Sequence, residues 1–222
     1  MRDTPLLLVI GIHREELAFG RAVADTLDPR LLKVLTVPEG LSGQRPLPDQ
    51  AFMYQTLHQA LYMQLLPYVI GHHTLLLDLH TGSDPAGPSA DLICADAIWR
   101  DRLAFEIAAR PALAAQNLRI VPLGTETEFP YAHTVIPKQI WNNPEFTYLG
   151  MEIYLPEGEA GQTAGRDLAH SLVTLVADLA AKPCPTSTQQ RLAVGRQMHT
   201  QASHEQTAGD GMPAFLPGRG QS

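Results

Sequence analysis

The stretch Leu75-Leu76-Leu77-Asp78-Leu79-His80-Thr81-Gly82 carries an apolar, β-prone run into a polar cluster. At the two-residue period of a strand, Asp78 and His80 fall on one face and Leu77 and Leu79 on the other. A buried strand has little reason to end this way unless the cluster does something. The plainer reading is a strand-end histidine capped by Thr81 and Gly82.

Outward from this segment, the apolar period switches repeatedly between that of a strand and that of a helix. Strands are expected over 6–12, 33–37, 74–80, 90–94, 119–123 and 147–155, and helices over 15–27, 50–68, 98–109 and 164–181. In the last helix Leu168, Leu172, Leu175, Val176 and Leu179 recur at spacings of three and four, as one buried helical face requires. The alternation predicts an α/β fold, a mostly parallel sheet sandwiched between helical layers. From Pro183 onward, Leu192, Val194, Phe215 and Leu216 are the only strong branched or aromatic hydrophobes, among many Gln, Thr, Ser, Gly and Pro. The expected organisation is therefore one domain over 1–182 and a disordered or loosely attached tail over 183–222.

A chain of 222 residues suits one such domain and is short for two with linkers. Lys and Arg number 16 against 23 Asp and Glu, a net charge of −7, which disfavours a nucleic-acid partner held by bulk electrostatics. No segment approaches the roughly 18 to 20 uninterrupted apolar residues of a membrane span. The run Leu6–Ile10 is shorter than a signal-peptide core and is followed by charge, so a cytoplasmic location is expected. Cys94 and Cys184 have no paired spacing, which indicates neither a disulfide scaffold nor a thiolate zinc site.

Three segments hold residues suited to chemistry. In Gly11-Ile12-His13-Arg14-Glu15-Glu16, at the junction of the first strand and helix, a spacing of three puts His13 and Glu16 about one turn apart, close enough to face one metal. An ordinary exposed helix start is the competing reading, but ligands in open α/β sheets collect at the carboxyl ends of strands. His80 is a candidate third ligand, with Asp78 as its acceptor. Two histidines and one carboxylate with an open fourth position make a catalytic rather than a structural zinc set. In the run 147–155, Glu152 is a lone carboxylate among apolar residues, suited to a general base if it faces a site and unremarkable if it faces solvent.

Taken together, the segments Gly11-x-His13-x-x-Glu16, Asp78-Leu79-His80-Thr81 and Met151-Glu152-Ile153 occur in the order seen in the zinc carboxypeptidase superfamily. Within it, the chain resembles the succinylglutamate desuccinylase/aspartoacylase family over roughly residues 5 to 181. The resemblance implies a three-layer sandwich with a mixed, mostly parallel sheet, and a hydrolase of amide bonds in an N-acyl amino acid or similar small substrate. It implies that His13, Glu16 and His80 hold Zn2+, which acidifies a bound water, and that Glu152 takes the water's proton and delivers it to the leaving amine.

Departures from the family pattern bear on this expectation. Arg14 and Glu15 stand where the family usually has Gly and Asn or Asp, placing charges beside the ligands. The Asn-Arg segment is shortened, and Gln44 and Arg45 are all that 37–46 offers. Arg45 is then expected to grip a substrate carboxylate or the oxyanion, with a solvated loop arginine as its plain alternative. The family's second, β-rich domain has only a tail of about 40 residues in its place, which implies a more open site or a partner chain that supplies the wall, and a homo-oligomer is one expectation. The remaining readings are a zinc carboxypeptidase acting on a small peptide and a member that binds metal or ligand without turnover. Among other histidines, His72 and His73 are expected at the surface at the opposite end of the sheet, and His58 and His170 at packing or surface positions in helices. Tyr131 and His133 are weaker candidates for the pocket wall, and His199 and His204 fall in the tail.

Overall fold

The computed structural model describes residues 4–124 and 134–182. The strands are β1 (Leu6–Ile10), β2 (Leu32–Thr36), β3 (Leu75–Ser83), β4 (Ser89–Cys94), β5 (Asn117–Pro122) and β6 (Thr147–Leu155). They form one six-stranded sheet in the order β2-β1-β3-β6-β4-β5. β4 runs antiparallel to β6, and every other neighbouring pair is parallel. The short link over residues 84–88 accounts for the exception, because a parallel return needs a crossover of a dozen or more residues. β4 therefore turns back, and β6 inserts between it and β3.

The helices are α1 (Leu17–Ala24), α2 (Ala51–Met63), α3 (Leu66–Val69), α4 (Ala97–Ala108), α5 (Pro111–Ala114), α6 (Lys138–Trp141) and α7 (Gly158–Ala181). Alternate strand residues feed two cores. Leu6, Leu8, Ile10, Leu75, Leu77 and Leu79 pack with Phe19, Val23, Leu103, Leu168, Leu172 and Val176 from α1, α4 and α7. Leu7, Val9 and Leu76 pack with Tyr62, Leu65, Val69 and Ile140 from α2, α6 and the segment around α3. Every residue of β1 is buried, as a strand covered on both faces must be. This is the expected α/β sandwich, and none of its described helices is long and apolar enough to cross a membrane.

Element boundaries differ from expectation where local chemistry intervenes. β1 ends at Ile10 because Gly11 adopts φ +83, and a Cβ there would meet the Val37 carbonyl oxygen at 2.6 Å. The helix expected over 15–27 opens as a 3-10 turn, Arg14–Glu16, before α1 begins. The helix expected over 50–68 breaks after Met63. Pro67 cannot occupy a helix interior and instead sits in the first turn of α3. α7 starts at Gly158 rather than 164, since its buried stripe continues through Gly161 and Gly165, which carry no hydrophobic signal of their own. β3 runs on to Ser83 because Thr81, Gly82 and Ser83 pair with Ile153, Tyr154 and Leu155 of β6, which overrides the low strand preference of Gly82. The four-residue helices α5 and α6 are too short for periodicity to reveal.

Candidate metal centre

His13 and Glu16 leave the carboxyl end of β1 on the 3-10 turn, a geometry that nearly eclipses residues three apart. The turn is anchored by the segment after β2: Val37 N–H donates to Ile10 O at 2.9 Å, Leu41 N–H to Ile12 O at 2.9 Å, and Arg14 N–H to Leu41 O at 2.9 Å. His80 comes from the adjacent strand β3. His13 Nδ1 lies 3.0 Å from Glu16 Oε1, and His80 Nδ1 lies 2.9 Å from Glu16 Oε2. One ligand atom from each of the three falls within 4.8 Å of the others, a nitrogen, nitrogen and oxygen set that fits a zinc-like cation.

Beneath His80 lies a buried polar knot. Asp78 is fully buried, and its Oδ2 accepts from Tyr62 OH at 2.7 Å and Tyr148 OH at 2.9 Å and lies 2.9 Å from His80 Nε2. This side of the ring is thus committed to a carboxylate, leaving Nδ1 for the cation position, the arrangement by which a supporting acceptor orients a ligating histidine. Burial alone would neutralise Asp78, but His80 and the two tyrosine hydroxyls hold its carboxyl below the usual range. Burial opposes charge on His80 too, yet Asp78 and Glu16 raise it well above the ordinary imidazole value. Glu16 is likewise pushed up by burial and brought below the usual range by His13 and His80. Burial, then Asp78, raises both tyrosine hydroxyls, which stay protonated donors.

Glu152 is the register partner of His80 across β3 and β6, and so falls on the same face of the sheet. It is half-buried and lines, with His13, Glu16 and His80, a cavity of about 310 Å³. The neighbouring Gly82 makes room for it: a Cβ there would meet Tyr154 Cδ1 at 2.6 Å and Glu152 Oε1 at 3.3 Å. Tyr154 is held in turn by Asp91, to which its hydroxyl donates at 3.1 Å, and Asp91 takes two further bonds from Arg119 at 2.6 and 2.7 Å.

Arg14 and Glu15, the unusual residues between the ligands, turn away from the centre. Glu15 accepts from Ser42 Oγ at 3.0 Å and Gly43 N–H at 3.1 Å, fastening the loop against which His13 packs. The Gly43 amide is the main reason its carboxyl falls to about 2. Arg45, two residues further on, is exposed and is absent from the described lining of the cavity.

The structure departs from the sequence reading at two other histidines. His58 is 2% exposed on α2, and it lines the cavity rather than serving only as packing: its Nε2 lies 3.3 Å from His13 Nε2. Burial lowers its basicity. Tyr54, His58 and Tyr62 recur every four residues and so share one helical face, a periodic polar signal that was available in the sequence. His73 is also buried, not at the surface, and hydrogen-bonds the Thr4 carbonyl at the far end of β3. His170 pairs with Thr26 between α7 and the end of α1, as a packing residue would. Cys94 is free and buried in the core. Tyr131, His133, Cys184, His199, His204 and the whole segment 183–222 lie outside the described residues.

No protein-family model and no curated protein matches the sequence. Among solved structures, murine aminoacylase 3 aligns at 15% identity and TM-score 0.42, over 79% of this chain and 65% of its own. The chain therefore spans just under two thirds of that enzyme. The CwlD amidase of Clostridioides difficile, solved with the GerS lipoprotein, aligns at 7% identity and TM-score 0.46, over 80% of this chain and 100% of its own. A bacteriophage poly-gamma-glutamate hydrolase aligns at 11% identity and TM-score 0.38, over 80% and 87%. Likeness this distant transfers no chemistry, and the fold and the site stand on the chain's own geometry.

Proposed function

We propose that this protein is a zinc-dependent hydrolase that cleaves an amide bond in an N-acyl amino acid or similar small substrate. The observation that carries the reading is the convergence of His13, Glu16 and His80 on one point, with Glu152 in register beside His80 in the same cavity. Zinc held there would supply Lewis acidity, activating a water and polarising the scissile carbonyl.

The chain's own residues do the rest. Glu152 accepts the proton that the attacking water loses and returns it to the departing nitrogen as the C–N bond breaks, so the carboxylate is regenerated in each turnover. Asp78 keeps the His80 ring fixed through its Nε2 side. Arg45, on the loop adjoining His13, is assigned the substrate carboxylate, which a guanidinium grips with paired hydrogen bonds.

The experiment is to measure zinc stoichiometry by mass spectrometry in the wild type and in His80→Ala. It is coupled to a hydrolysis screen of N-acyl amino acids against short peptides with the zinc-loaded protein. One zinc per chain, lost in His80→Ala, together with release of free amino acid is the expected result. A wild type that takes up no zinc overturns the reading, and zinc without hydrolysis of any amide reduces it to a metal-binding protein. Cleavage of peptides alone would move the assignment to a carboxypeptidase.

A further inference from the structure

Among the described residues that line the cavity, His58 is the one histidine that has no place in the ligand set, and the chemistry of its two nitrogens gives it one. A neutral imidazole has one N–H donor and one acceptor nitrogen. His58 Nδ1 lies 2.8 Å from the Tyr54 carbonyl oxygen, an acceptor only, so Nδ1 must carry the proton. Nε2 of His58 is then a lone-pair acceptor, and the polar atom facing it is His13 Nε2 at 3.3 Å. For that contact to be a hydrogen bond, His13 must be protonated at Nε2. The His13 nitrogen left with a lone pair is Nδ1, the atom that faces Glu16 and the cation position.

We propose that His58 is a positioning residue that selects the His13 tautomer and aims Nδ1 at the metal, using the helix carbonyl of Tyr54 as its reference point. This rests on the metal reading above and adds to it an orienting partner for the second histidine ligand. The two ligating rings are supported by different chemistry: His80 leans on a buried carboxylate from its own strand, whereas His13 leans on a neutral ring from a helix of the covering layer. A neutral acceptor suits this position, since Glu16 already supplies negative charge on the other side of the His13 ring. His58 is also nearly inaccessible at 2% exposure, so the ring is held by packing as well as by its hydrogen bonds.

Two measurements test this. In metal-free protein at mildly alkaline pH, 15N-resolved spectra of the histidine rings should show His58 protonated at Nδ1 and bare at Nε2; the opposite tautomer overturns the proposal whether or not zinc binds. In the second, zinc affinity is read by competition with a chromophoric chelator in the wild type, His58→Leu and His58→Gln, with folding checked by circular dichroism. His58→Leu removes the acceptor and should weaken zinc on the order of 10- to 100-fold. His58→Gln places an amide oxygen near the lost Nε2 and should recover most of that loss. Wild-type affinity in His58→Leu, or an equal loss in both variants, would overturn the assignment. A wild type that binds no zinc but shows the expected tautomer would overturn the metal reading, and with it the aiming of Nδ1 at a metal, while the tautomer assignment would stand.

Discussion

His80 and Glu152 are direct register partners on adjacent parallel strands, one bearing a candidate metal ligand and the other the candidate base. The spacing between them is therefore set by backbone pairing rather than by flexible loops, which fixes the position of Glu152 relative to His80.

Glu152→Gln keeps the shape of the side chain and removes its basicity. The variant should retain full zinc stoichiometry while turnover falls by roughly 10²- to 10⁴-fold, the usual worth of a general base. Loss of metal along with activity would instead make Glu152 part of the ligand set.

Gly82→Ala puts a methyl group where Tyr154 Cδ1 lies 2.6 Å away and Glu152 Oε1 3.3 Å away. Ring and carboxylate must shift, and a displacement on the order of 1 Å at a reacting group can lower turnover about 10²-fold. Steady-state kinetics should show the loss in kcat, with zinc content unchanged because His13, Glu16 and His80 are untouched.

Tyr148→Phe leaves Asp78 with one hydroxyl donor fewer in a fully buried site. Hydrogen bonds to charged groups contribute about 1.5–3 kcal/mol, so urea unfolding should show a loss of that size. A change within about 0.5 kcal/mol would mean that the bond from Tyr62 suffices alone.

Glu15 gives a pH signature through the loop that it fastens beside His13. Its folded pKa of about 2 lies below its ordinary value of 4.5, so its hold on Ser42 and Gly43 is complete above about pH 4.5 and fades as pH falls toward 2. The Gly43 amide resonance, followed by NMR, should titrate near the lower value in the wild type and show no such step in Glu15→Gln.

The sheet was legible because its strands announce themselves: β6 is expected over 147–155 and found over Thr147–Leu155, its long apolar run interrupted only by Gly150 and Glu152. What escaped was set by partners distant in sequence. The extension of β3 through Thr81, Gly82 and Ser83 exists only because β6 lies beside it. Arg14 and Glu15 read as intrusions beside the ligands because nothing local shows that Glu15 is committed to a loop more than twenty residues away. His58 escaped for a different reason: its shared helical face with Tyr54 and Tyr62 was readable, but that face alone does not separate packing from support of a ligand.

The place of β3 at the border between β1 and β6 divides the candidate site between two strand pairings. The candidate ion-holding groups follow β1 or lie on β3, and the candidate base lies on β6, so each half is open to its own substitutions. On the proposed roles, a variant altered only in β6 would keep the ion-binding pocket without turnover, and one altered only in the turn after β1 would keep a well-placed base with nothing to serve.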